Sequence, residues 1–127
     1  MKTANKHLGK ALIFTLFVLL LACRQAPPLS GFDHEAWLSD PDGCQGKRSL
    51  VWENFEQNKN KLLGYDENHL KQLLGMPSSK NLFEKGQKIY SYTISGAENC
   101  SEKMPLVTLQ LRINVTGKVS EVVVIKG

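Results

Sequence analysis

The chain has 127 residues, 42% of them hydrophobic and 22% charged, with a formal net charge of +4 and a pI near 9.0. That length supports one small domain. A basic balance of this size invites a nucleic-acid partner, but Lys2, Lys6 and Lys10 sit in an acid-free leader. Beyond residue 22, thirteen basic residues face twelve acids with no basic cluster or aromatic-interleaved stripe, which removes nucleic acid from the reading.

Residues 1–22 have the build of a secretory signal: a lysine-bearing start, the apolar run Ala11–Leu21 and the small residue Ala22. Eleven helical residues reach only about 16 Å, short of the roughly 30 Å of hydrocarbon a membrane span must cross. Leu20-Leu21-Ala22-Cys23 resembles the bacterial lipobox at all four positions. That resemblance implies lipidation of the Cys23 thiol, cleavage before it and acylation of the new amino terminus. Several acyl chains hold a protein far more firmly than one, because each buried methylene contributes about 0.8 kcal/mol. The membrane is therefore an expected partner through the amino-terminal lipid. The absence of an acid directly after Cys23, where Arg24 stands, favours the periplasmic face of the outer membrane.

Residues 23–31 read as a flexible tether, with Pro27, Pro28 and Gly31 keeping it extended. A single α+β domain is expected over 32–127. Assigning Cys23 to lipid leaves Cys44 and Cys100, which allow one pairing in a disulfide-permissive compartment. Two free thiols are the alternative; their wide separation offers no Cys-x-x-Cys redox motif. Joined, they would close a loop worth about 4 kcal/mol in unfolded-state entropy.

His34–Leu38 reads as a helical turn around Trp37, ended by the turn-forming Ser39–Gly43. Val51, Phe55 and Leu62 follow helical spacing and predict a helix from about Ser49 to Leu63, stopped by Gly64. Asp66 is an N-cap for a second helix, Glu67–Leu74, with Gly75 and Pro77 ending it. Pro77–Gln87 reads as a polar loop. The period then changes to two: strands are expected over Lys88–Ser95, Leu106–Val115 and Val119–Ile125, the last two joined by a turn at Thr116-Gly117-Lys118. Two helices followed by three antiparallel strands make an α+β layer, ααβββ.

The stretch from Leu63 to Pro77, with its Leu73-Leu74-Gly75-Met76-Pro77 ending, resembles the small outer-membrane lipoproteins of the BamE/SmpA type. Tyr90, Tyr92 and Gly117 fall at corresponding places, and the likeness covers about 62–127. Tyr65 replaces the family's usual Met, and Trp37, the first long helix and the cysteine pair lie outside the pattern. The resemblance implies an ααβββ fold and a non-catalytic scaffold or binding module engaging an envelope protein partner, in outer-membrane assembly or envelope integrity. The alternative is a soluble-ligand or enzyme-inhibitor module on the same unit.

Chemistry-bearing constellations are sparse. His34-Glu35 lacks the second histidine of His-Glu-x-x-His, and zinc needs three or four converging ligands. Ser91, Ser95 and Ser101 lack a Gly-x-Ser-x-Gly elbow, and no phosphate loop exists. Asp40 and Asp42 flank turn residues, where aspartate bends the chain. No enzyme activity, metal or cofactor is expected. Tyr65, Leu82, Phe83, Tyr90 and Tyr92 are the candidate contact residues, since exposed aromatics supply large contact areas. Core packing is the competing role for the strand tyrosines.

Overall fold

The computed structural model describes residues 29–127. Cys23, the signal segment and most of the tether lie outside them. Helix α1 (His34–Leu38) is capped by the Asp33 carboxylate, which accepts from the Ala36 N–H at 3.1 Å. Helix α2 (Lys47–Phe55) continues as a 3-10 segment over Glu56–Leu62. The single regular helix expected to Leu63 therefore breaks at Phe55. Between Phe55 and Leu62 every side chain is polar, so no apolar anchor holds an α-helical turn against the core. The longer rise of a 3-10 helix carries the chain to Leu62, which is fully buried.

Helix α3 (Glu67–Leu74) has the bounds the sequence predicts. Asp66 caps it by accepting from the His69 N–H at 2.9 Å, and Gly75, at φ +77, ends it in a conformation open mainly to glycine. Leu70 and Leu74 on its inner face are fully buried.

The sheet has four antiparallel strands in the order β1-β2-β3-β4, against the three expected: β1 (Ser79–Leu82), β2 (Lys88–Ser95), β3 (Val107–Ile113) and β4 (Val119–Lys126). The correction lies in Pro77–Gln87, whose first half is an edge strand. Ser79↔Ser91 and Leu82↔Lys88 set its register on β2. The turn joining them is tight: the Gln87 N–H reaches the Glu84 carbonyl at 3.3 Å, with Lys85 at φ +59 and Gly86 at φ +77.

One sheet face carries Tyr90, Tyr92, Ile94, Leu109, Leu111, Ile113 and Val122, all buried under the helices. Helix α2 lies on β2, α1 bridges α2 and α3, and the 3-10 segment lies against β4. No described helix lies on the other face, on which Thr108, Gln110 and Arg112 of β3 alternate with the buried side chains as expected. Gly64 and Tyr65 are stitched to the start of β4: the Gly64 N–H donates to Val119 O at 2.9 Å and the Val119 N–H to Tyr65 O at 2.8 Å.

Leu29, expected in the tether, belongs to the core at 8% exposure, as does Phe32. The Phe32 ring sits 5.4 Å from Trp37 and 5.3 Å from Phe55, so the packed domain already includes Leu29. Among the described residues no helix is long and apolar enough to cross a membrane.

Candidate binding surface

The helical layer is held to the sheet by a polar cluster beneath α1 and α2. Asp40 is 2% exposed and accepts from the backbone N–H groups of Gln45, Lys47 and Arg48 at 3.2, 3.0 and 3.4 Å, so its carboxylate starts α2 in place of a side-chain cap at Gly46. Arg48 is also buried. Its Nε donates to Trp37 O at 2.9 Å and its Nη1 to Thr93 O on β2 at 3.0 Å. Burial lowers its pKa, and Asp40 opposes that shift. Trp37 Nε1 donates to Leu74 O at 3.0 Å and the Tyr92 hydroxyl to Gly75 O at 3.1 Å, so two aromatic donors close the end of α3.

Cys44 and Cys100 form a disulfide between the loop before α2 and the β2–β3 connection. Asn99 Nδ2 donates to Asp42 Oδ2 at 3.0 Å beside it.

The contact candidates separate sharply. Tyr90 (2% exposed) and Tyr92 (fully buried) pack in the core, and of the two only Tyr90 reaches the wall of a surface cleft. Their positions alternate onto the helix-covered face, where large aromatic rings fill the gap between layers. Burial raises the pKa of both phenols. Tyr65 is half-buried against the core. Leu82 and Phe83 remain, at 85% and 39% exposure. Phe83 turns to the outer sheet face, where the Arg112 guanidinium lies 4.7 Å from its ring centre. Arg112 also pairs with Glu121 at 3.2 Å.

A second group was not singled out in the sequence. Glu67, Lys71, Lys80, Asn81, Leu82, Lys88 and Tyr90 line an open cleft of about 300 Å³ between α3 and β1. Lys88 Nζ meets Glu67 Oε1 at 2.8 Å, and Lys80 Nζ lies 5.3 Å from the Tyr90 ring centre. The hydrogen bond from Lys88 holds the Glu67 carboxyl below its ordinary range, and the same bond raises Lys88. With Glu67 engaged, three lysines dominate the cleft. The sequence hides it because Lys71, Lys80 and Lys88 come from three elements and follow no local spacing.

His69 Nδ1 lies 3.1 Å from Asp66 at an exposed position. Among the described residues no three of His, Cys, Asp and Glu converge as a metal site would require. The arrangement offers a lysine-rich cleft beside a strand edge that no described residue pairs with. No protein-family model, no curated protein and no solved structure matches this chain.

Proposed function

We propose that the chain is a lipid-anchored cell-envelope protein working as a non-catalytic binding module, akin to the small lipoproteins of the BamE/SmpA type. Cys23 would carry the lipid, the periplasmic face of the outer membrane would be its site, and an envelope protein its partner. The observation that carries this reading is the Cys44–Cys100 bond. Disulfides persist in oxidising compartments such as the periplasm, and with two of three cysteines joined, Cys23 is the one left for a lipid. The exposed edge of β1 with Leu82, beside a cleft rich in lysine, supports a binding role.

Photo-crosslinking from position 82 in intact membranes tests it, alongside fatty-acid labelling of the parent and Cys23→Ala proteins. The expected outcome is an adduct with an envelope membrane protein, and labelling lost with Cys23. Labelling that survives Cys23→Ala overturns the anchor, and a secreted hydrolase as sole adduct replaces the scaffold role with that of an inhibitor.

A further inference from the structure

The free edge of β1 has a defined hydrogen-bonding phase. The Phe83 N–H donates to Gln87 O at 2.8 Å, and the β1–β2 register pairs Asn81 with Ile89 and Ser79 with Ser91. Antiparallel partners alternate between bonded and non-bonded pairs. With 83 and 87 bonded, Asn81 and Ser79 turn their N–H and C=O groups to β2. Those of Lys80 and Leu82 therefore turn outward. No described residue pairs with them, since β1 is the sheet's edge.

The same two residues carry the side chains that lean to the cleft. Lys80 stands over Tyr90 with Lys71 and Lys88 nearby, and Leu82 exposes its aliphatic side chain at the rim. A lysine on an edge commonly deters pairing with another chain. Here three lysines surround one cleft whose only acid is engaged by one of them. That arrangement repels basic strands and attracts acidic ones.

We propose that β1 receives an extended acidic segment of a partner protein as a fifth strand. This deepens the binding-module reading and rests on it. Added strands gain affinity from main-chain bonds and specificity from alternate side chains. Partner residues opposite Lys80 and Leu82 are two apart, so the recognised pattern is a carboxylate and an aliphatic residue separated by one position. Two other occupants fail on charge. The chain's own residues 1–28 contain no acid, and a second copy paired through β1 would bring another Lys80 and no carboxylate to the lysine cleft.

The test uses the full-length chain in detergent with a fluorescent peptide repeating Val-Thr-Glu-Thr twice, followed by anisotropy. Comparison peptides replace Glu with Lys or carry N-methyl groups on alternate amides. Binding is expected for the acidic peptide, weakened by salt and at least tenfold weaker for Lys80→Glu. Leu82→Pro should abolish it without unfolding the sheet, because the deleted N–H faces outward. Lys126→Glu, the same charge change at the β4 edge, should leave it unchanged. Slowed amide exchange at Lys80 and Leu82 would mark strand addition. Equal binding of the N-methylated or lysine peptide, or no binding at about 1 mM, overturns the proposal. Because the assay needs neither membrane nor lipid, its failure is separable from failure of the anchored-module reading, which the crosslinking decides.

Discussion

The Arg48 guanidinium lies 4.4 Å from the centre of the Trp37 ring, and its Nε donates to the Trp37 carbonyl. One side chain thus stacks on α1, starts in α2 and reaches Thr93 on β2. A buried cation held this way is a junction between layers.

Arg48→Ala should therefore destabilise the domain by about 3 kcal/mol, since it leaves the Trp37 and Thr93 carbonyls buried without a donor and strips packing from the indole. Arg48→Met keeps an aliphatic stem of similar reach and should lose less. Urea unfolding midpoints of the three proteins at unchanged slope measure this. Equal stability of Arg48→Ala and the parent would mean that the junction contributes nothing net.

Replacing Cys44 and Cys100 together with Ser frees a loop with a sequence separation of 56. Loop-closure entropy sets the expected loss at about 4 kcal/mol, a large part of the 5–15 kcal/mol typical of small domains. The parent protein unfolded in the presence of reductant should match the double variant. A change far below this would mean that the reduced chain stays compact around the same loop.

Legibility in the sequence tracks how local the cause is. Helix α3 and strand β2 were readable to the residue because their determinants lie inside them: Asp66 caps, Gly75 stops, and Tyr90, Tyr92 and Ile94 alternate. Strand β1 was not, because Ser79, Lys80, Asn81 and Leu82 are all exposed and lack both β-branching and alternating burial. Its turn puts Lys85-Gly86 where Asn-Gly is the usual signal for two left-handed residues. Lys80 and Lys71 share a cleft only through that missed pairing. Arg48 was equally hidden: a basic residue beginning a helix reads as solvent-facing, and its acceptor on Thr93 is 45 positions away.

Acid should weaken the α3 end of the domain first. Asp66 is lowered from 3.8 chiefly by its bond from the His69 N–H, and Glu67 from 4.5 chiefly by Lys88. Carboxyls that hold protons less readily when folded contribute stability above their unfolded values, and that contribution is lost as pH falls through the lower folded values. Lys88 has the opposite sign: raised from 10.5, it contributes fully below that value and loses the contribution as pH rises through its folded one. The carboxyl contribution should thus decline below about pH 4.5, while above pH 10.0 the buried Tyr90 and Tyr92 add their own loss to that of Lys88. Glu67→Gln should remove the share of both slopes that comes from this ion pair. Thermal midpoints of the two proteins across pH are the measurement, and parallel curves would rule the pair out as a source.

Two glycines with nearly the same backbone should respond differently to one methyl group. Gly43, at φ +67, and Gly64, at φ +85, both occupy the left-handed region, so alanine costs each about 1–2 kcal/mol. At Gly64 nothing lies within 4 Å of the added carbon, and the cost should stop there. At Gly43 the same carbon would press into the Ile94 carbonyl and come within 2.9 Å of Ser95 Cα, both fixed backbone of β2. The loop must then lift from the sheet beside the Cys44–Cys100 bond. Gly43→Ala should therefore lower the unfolding midpoint well beyond Gly64→Ala and speed reduction of the disulfide, which Gly64→Ala leaves unchanged. Denaturant titration together with thiol-release kinetics compares them. Equal effects on both would mean that the loop does not depend on its contact with β2.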